Sequence, residues 1–271
     1  METEAKPIPA LGLRTYRLQG RQLADYLRDG LEIGYRHIDT AQSYGNEAQV
    51  GQAIEASGVA RGELFLTTKL GVQHLTKEGL IPALRNSLRS LKTERVDLAL
   101  LHGPVYEDAG LVAEAMAALR EAQRQGLTRR IGAANLTLAQ MRQAVSAVGA
   151  SAVATHQIEL EPWAQAAPVV AAARSHGIRL TAYQPLFWRP ACRDPVVDEI
   201  ARRHGASATQ VSLAWLLQKG CSVLPSATAR ARLWQNWSAQ FLRLTEQEMR
   251  AIDRLGEADS AAGADLAPVW Y

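Results

Sequence analysis

Cysteine is scarce in this chain of 271 residues: Cys192 and Cys221 are the only two, and they form no motif. A disulfide framework is therefore not expected. Long apolar runs are missing too. No stretch approaches the roughly 20 residues that cross a bilayer, so no membrane partner is expected. The opening residues, METEAKPIPAL, carry acids and prolines where a signal peptide has a basic start and an apolar core. Together these absences favour a cytoplasmic protein. Basic runs are absent as well, because 30 Lys and Arg against 27 Asp and Glu leave only +3, spread along the chain. Nucleic acid is not the expected partner, whereas a small anionic ligand suits the slight excess. Finally, no G-x-G-x-x-G follows any strand, which removes the phosphate loop of an open doubly wound sheet.

What the chain does have is regular alternation. Apolar residues make up 47% and charged residues 21%, the balance of a soluble globule with a large core. Strands are expected at Pro9–Tyr16, from Tyr35 to Thr40, Glu63–Leu70, Arg95–His102, Arg130–Asn135, Val153–Glu159, Ile178–Tyr183 and Cys221–Pro225. Helical stripes fall between them, as in Arg21–Gly34 with Leu23, Tyr26, Leu27 and Leu31 on one face. Further helices are expected at Glu47–Ser57, Lys77–Leu91, Leu111–Gln125, Leu138–Val148, Pro168–His176, Pro195–His204, Thr209–Lys219, Arg230–Asn236 and from Thr245, whose Thr-Glu-Gln-Glu is a capping box. Eight strands in about 250 residues with no linker predict one α/β domain over 1–271, a (β/α)8 TIM barrel.

In such a barrel the carboxyl ends of the strands share one mouth, where chemistry is done. Gly34–Gly51, GYRHIDTAQSYGNEAQVG, places Asp39 at a strand end and Tyr44 on the loop above it. Its alternation sets Tyr35, His37 and Asp39 on one face. Lys69, His102, Asn135, Gln157, Tyr183 and Ser226 end or follow the later strands. Each alone has a plain explanation: a solvated lysine, a core histidine, a packed tyrosine. An acid, a phenol, a lysine and a histidine from consecutive strand ends make a coherent set. A free phenol, with a pKa near ~10, is a poor acid at neutral pH, and a nearby ammonium makes it a better one. The acid keeps the ammonium charged, and a neutral histidine can orient a carbonyl oxygen. This suits protonation of an oxygen that becomes negative as hydride reaches its carbon. No residue is a hydride donor, so a cofactor is required.

GYRHIDTAQSYGNEAQVGQAI, LFLTTKL, VDLALLH and QIELEPW resemble the aldo-keto reductase superfamily over about Pro7 to Tyr271, most nearly its bacterial 2,5-diketo-D-gluconate reductase branch. The resemblance implies Tyr44 as general acid, Lys69 and Asp39 as its tuning pair, and His102 as the carbonyl-orienting group. It further implies a cofactor, NADPH, with Asn135 and Gln157 on the nicotinamide carboxamide and Tyr183 stacked on the ring. Thr15 and Leu186 complete its cofactor contacts. Ser226, Arg230, Arg232 and Asn236 occupy the place of the 2′-phosphate site, where Ser226 replaces the usual lysine and Arg230 is offered as its substitute. The substrate side departs further. Gly71 and Gly103 stand where tryptophans are common, which implies an open pocket and a bulkier substrate than a simple aldehyde. Trp163, Trp188, Trp270 and Tyr271 are candidates to refill it. Arg14, beside Tyr16, replaces a glycine near the cofactor and, if buried, needs an anionic partner. Ala134 replaces a serine, and His156 an asparagine.

The expected function is NADPH-dependent reduction of a small-molecule carbonyl, aldehyde or ketone, by a monomer or weak oligomer. A second reading keeps the barrel as a catalytically weak NADP(H)-binding regulatory protein. A third, a metal-dependent hydrolase using His37, His102 and His156, lacks carboxylates at the right strand ends.

Overall fold

The computed structural model describes residues 6–71, 77–103, 109–183 and 194–256. Eight parallel strands lie in sequence order: β1 (Leu13–Arg14), β2 (His37–Asp39), β3 (Phe65–Gly71), β4 (Val96–His102), β5 (Thr128–Ala134), β6 (Val153–Glu159), β7 (Arg179–Tyr183) and β8 (Ser222–Leu224). The sheet closes on itself, since Leu11 bridges Val223 and the Gly12 amide donates to the Val223 carbonyl at 3.0 Å. The helices are α1 (Gly20–Ile33), α2 (Glu47–Ala56), α3 (Lys77–Ser90), α4 (Ala109–Arg124), α5 (Leu138–Val148), α6 (Ala167–Ser175), α7 (Pro195–Arg203), α8 (Ala208–Gln218), α9 (Arg230–Ser238) and α10 (Glu246–Asp253). The expected (β/α)8 barrel is the observed one.

The two-residue period of a strand explains how this barrel aims its side chains. Along β3, Leu66 and Leu70 join the large outer core under the helices, while Phe65 belongs to a small interior cluster. Along β4, Ala99 and Leu101 face outward, and Leu98 and Leu100 fill the interior with Ile8 and Ala134. Continuing the inward row from Phe65 through Thr67 reaches Lys69 on β3, and one further step from Leu100 reaches His102 on β4. The apolar plug below is thus the floor of the site, and truncating a residue such as Leu100 to alanine costs about 2–5 kcal/mol. Helix starts are set locally: Thr137 with Gln140, Ser207 with Gln210, and Thr245 with Glu248 form reciprocal capping boxes.

Two expectations are corrected. The first strand is not Pro9–Tyr16 but Leu13–Arg14, because this segment changes partners: Ala10 and Gly12 pair with Val223, and Leu13 and Arg14 with β2. Gly12 permits the crossing, as a Cβ there would lie 2.6 Å from a Leu224 methyl and 2.8 Å from the His37 ring. Second, Tyr35 does not share the face of His37 and Asp39. It precedes β2, donates to the Leu233 carbonyl at 3.1 Å and stacks on Trp237 of α9 outside the barrel. His37 points inward, edge-on to Phe65 and 3.0 Å from the Thr67 hydroxyl.

Candidate active site

Lys69 sits at the centre of the mouth. Its Nζ pairs with the Asp39 carboxylate and donates to the Thr40 carbonyl and the Tyr44 hydroxyl, both at 3.2 Å. Lysine and aspartate are 1% and 0% exposed, so each charge depends on the other for compensation. The second Asp39 oxygen accepts from Gln157 Nε2 at 2.9 Å. Tyr44 is carried on a turn of 3-10 helix that ends at Gly45, whose φ of 65° suits glycine. His102 meets the Tyr44 ring edge-on at 6.0 Å between centroids, and its Nδ1 lies 3.3 Å from the Ser43 hydroxyl. Burial, helped by the Lys69 charge, pushes the His102 imidazole down to about 3, so it is neutral near pH 7. When Ser43 donates to Nδ1, the hydrogen is on Nε2, ready for a carbonyl oxygen.

Asn135 directly follows β5 with φ at 58°, a left-handed conformation that asparagine tolerates better than most residues. That turn sends its side chain across the mouth. It donates to the Gly103 carbonyl at 3.3 Å and accepts from the Tyr183 hydroxyl at 2.7 Å. Beside it, His156 Nε2 accepts from the Leu136 amide at 3.1 Å, and burial pushes this imidazole down to about 4.

Arg14 faces the mouth, a point its sequence context left open. The side chain is 4% exposed, and its guanidinium lies 4.7 Å from the ring centroids of both Tyr16 and Tyr183. Its Nε donates to the Tyr44 hydroxyl at 3.4 Å. Burial works against its charge, and Tyr44 with Asp39 more than offsets this, so the guanidinium stays above its ordinary value. Tyr44 oxygen therefore accepts from two cations, Lys69 and Arg14, which leaves its own hydrogen to be given outward.

The remaining expected site residues divide. Thr15 is sealed in, its hydroxyl donating to Thr40 at 2.9 Å, a place in the framework beneath the site. Ser226 and Arg232 are exposed around the start of α9, and Asn236 is buried on it. A helix amino terminus with an exposed arginine nearby is a suitable cradle for phosphate. Arg230 is instead drawn to α1, pairing with Asp29 at 3.2 Å and Glu32 at 2.5 Å. Gly71 ends β3 opposite His102. Gly103 does not mark the space left by a missing indole. A Cβ there would lie 2.7 Å from the Ala134 carbonyl oxygen and 3.0 Å from that of Asn135. Trp163 Nε1 donates to Asp194 at 3.1 Å. Leu186, Trp188, Trp270 and Tyr271 lie outside the described residues.

Sequence reasoning missed Asn46. Its amide donates to the Thr15 and Leu18 carbonyls at 2.8 and 2.9 Å and accepts from Thr40, locking the Tyr44 loop to the segment that follows the first strand. The signal was present, since Asn46 lies in the same stretch as Asp39 and Tyr44. Glu159 was missed too: half-buried opposite Tyr183, it is raised by burial, and Arg14 acts against that rise. Among the described residues, no group of three His, Cys, Asp or Glu could hold a metal, and no helix is long and apolar enough to cross a membrane. Two surface clefts of about 420 and 410 Å³ lie by Lys92–Glu94, at the amino end of β4. They contain none of the candidate tetrad Asp39, Tyr44, Lys69 and His102, and the convergence of reactive groups is the better guide to chemistry.

Comparison with known proteins agrees with this geometry. The family model described as the aldo/keto reductase family matches residues 10–187 and 192–257. The methylglyoxal reductase DkgB of Salmonella typhi is 47% identical over 264 residues, covering 97% of this chain and 99% of that protein. A solved structure described as a putative 2,5-diketo-D-gluconic acid reductase B is 39% identical with a TM-score of 0.84, covering 92% of this chain and 88% of that one. The Bombyx mori aldo-keto reductase in complex with NADP is 31% identical, also at 0.84, covering 92% and 90%. The chain belongs to the aldo/keto reductase family, and its chemistry is the NADPH-dependent reduction of a carbonyl to an alcohol.

Proposed function

We propose that Tyr44 is the proton donor of this reduction, with Lys69 and Asp39 as its charged support and His102 as the group that orients the carbonyl. The single observation that carries this is the Lys69 Nζ, held by Asp39 and 3.2 Å from the Tyr44 hydroxyl. NADPH supplies the hydride. As charge builds on the substrate oxygen, the neutral His102 donates to it and Tyr44 hands over its hydrogen. The charge left on the phenolic oxygen is met by the N–H groups of the buried Lys69 and Arg14.

Tyr183 and Asn135, joined by their 2.7 Å hydrogen bond, offer an aromatic face and an amide to the nicotinamide. Gln157 has its Nε2 on Asp39, which leaves its carbonyl oxygen for the carboxamide. Arg232, with Asn236 and Ser226, takes the 2′-phosphate, because Arg230 is occupied with Asp29 and Glu32. An open substrate side rests on Gly71 alone, which shares the inward face of Lys69 by the two-residue period. The DkgB relatives favour a short 2-oxoaldehyde such as methylglyoxal over the bulkier ketone suggested by sequence. The protein acts in the cytoplasm as a monomer or weak oligomer, with neither nucleic acid nor membrane as partner.

The test is NADPH oxidation followed by absorbance with methylglyoxal, comparing wild type with Tyr44→Phe. Unchanged turnover in the variant removes Tyr44 from this role. Tight NADPH binding without turnover on a wide carbonyl panel favours the regulatory reading.

A further inference from the structure

The mouth of the barrel holds more buried positive charge than its tetrad uses. Lys69 is matched by Asp39, and Asp39 spends its other oxygen on Gln157. Arg14, equally buried, has no carboxylate of its own within ion-pair distance among the described residues. Its contacts are tyrosines: the Tyr44 hydroxyl at 3.4 Å and the rings of Tyr16 and Tyr183. Glu159 is another acid that senses it, and it is only half-buried. Most tellingly, Arg14 Nη1 is buried and finds no hydrogen-bond partner among the described residues. A buried guanidinium with an idle donor is costly unless something with lone pairs and negative charge arrives.

The position of that donor limits what arrives. Arg14 Nε is already on the Tyr44 hydroxyl, the atom that gives its proton to the substrate oxygen. The rest of the guanidinium fork is therefore beside the reacting carbonyl. A planar fork next to a carbonyl site matches a carboxylate on the adjacent carbon. The ring of Tyr183 is wanted by both the guanidinium and the nicotinamide. Occupation of that face by the cofactor would leave Arg14 to Tyr16, Tyr44 and the substrate.

We infer that Arg14 is a specificity-determining residue that binds the carboxylate of a 2-oxo acid, so that this enzyme reduces 2-oxo acids to 2-hydroxy acids beside its neutral carbonyl substrates. The inference rests on the proposed role of Tyr44 as proton donor. In the step, C2 gains hydride from NADPH, its oxygen gains the Tyr44 proton, and the carbonyl π-bond is lost. The products are the 2-hydroxy acid and NADP⁺. The carboxylate is unchanged and stays on Arg14.

Pyruvate and methyl pyruvate test this, because they share a skeleton and differ in the charge Arg14 would read. Wild type, Arg14→Met and Arg14→Lys are compared by kcat/KM on each, and by NADPH dissociation constant from fluorescence. The expected result is a loss of about 30-fold or more on pyruvate in Arg14→Met, as for one partner of a buried charge pair. Methyl pyruvate should fall as well, because Tyr44 loses the Arg14 N–H, but the pyruvate-to-ester ratio should still drop about 10-fold or more, and Arg14→Lys should recover part of the pyruvate rate. Equal losses on both compounds overturn the inference and make Arg14 a support of Tyr44. A weakened NADPH affinity with an unchanged pyruvate-to-ester ratio also overturns it, and gives the guanidinium to a cofactor phosphate. Wild-type turnover of methyl pyruvate but not pyruvate overturns it too, with the carbonyl-reductase reading intact. Undiminished turnover of both compounds by Tyr44→Phe overturns the underlying reading instead.

Discussion

Lys69 and Tyr44, 25 positions apart in the chain, meet with the ammonium 3.2 Å from the phenolic hydroxyl. One comes from a strand end and the other from the loop after the neighbouring strand, so parallel pairing of β2 with β3 creates the contact. Removing the phenol while keeping the ring should therefore isolate proton donation. Tyr44→Phe is expected to lower kcat by at least about 100-fold, the usual contribution of a general acid. NADPH affinity should be unaffected, which fluorescence titration would check.

The same lysine is also structural. Lys69→Met leaves Asp39 buried without its counter-charge, and unfolding by urea should show a loss of about 3–5 kcal/mol. Adding Asp39→Asn to that variant should recover part of the loss, since the uncompensated charge is then gone. Additive losses in the double variant would mean that the two charges are not coupled.

At Gly103, the β4 end lies so close to β5 that even a methyl group meets the Ala134 carbonyl. Gly103→Ala should lower stability by roughly 1–3 kcal/mol, as overpacking does, and Gly103→Trp by more. A stable Gly103→Trp variant that narrows substrate choice would show that the position opens the pocket after all. Thermal unfolding beside a substrate panel separates the outcomes.

Arg230 and Arg232 should behave differently although they are two residues apart. Arg232→Ala is expected to weaken NADPH binding about 10- to 100-fold, the worth of a hydrogen bond to a charged group, with little effect on NADH. Arg230→Ala removes exposed ion pairs to Asp29 and Glu32 and should change stability by less than about 1 kcal/mol. Reversed effects on cofactor choice would give Arg230 the phosphate.

His156 is buried and neutral, with its imidazole at about 4 in the folded state against an ordinary 6.5. Below pH 6.5 the unfolded chain takes up the proton while the folded chain refuses it until about 4. Its contribution is thus whole above 6.5 and is lost as pH falls through that window. Between pH 7 and pH 5 the loss is about 2 kcal/mol. His156→Asn keeps an acceptor for the Leu136 amide without titrating, so its stability should fall less than wild type over the same range. Equal slopes in urea unfolding at the two pH values would refute this.

The strand ends were legible because period-two alternation stops at turn residues, and the reactive types fall at those stops. Lys69 and His102 could be placed in the mouth from spacing alone, as Lys69 is the penultimate residue of LFLTTKL and His102 the last of VDLALLH. Tyr35 was misplaced because alternation continues past the point where hydrogen bonding begins. Pattern records burial, and Tyr35 is as buried against α9 as His37 is inside the barrel.

Local order in the sequence thus determined the eight-fold alternation and the capping boxes, since each depends on neighbours a few residues apart. Tertiary structure alone decided that Arg14 enters the mouth between Tyr16 and Tyr183, that Arg230 is drawn away to α1, and that Gly103 has no room for a side chain. Those outcomes depend on distances between segments far apart in the chain. Such distances exist only once the sheet has closed and fixed which strand ends face one another.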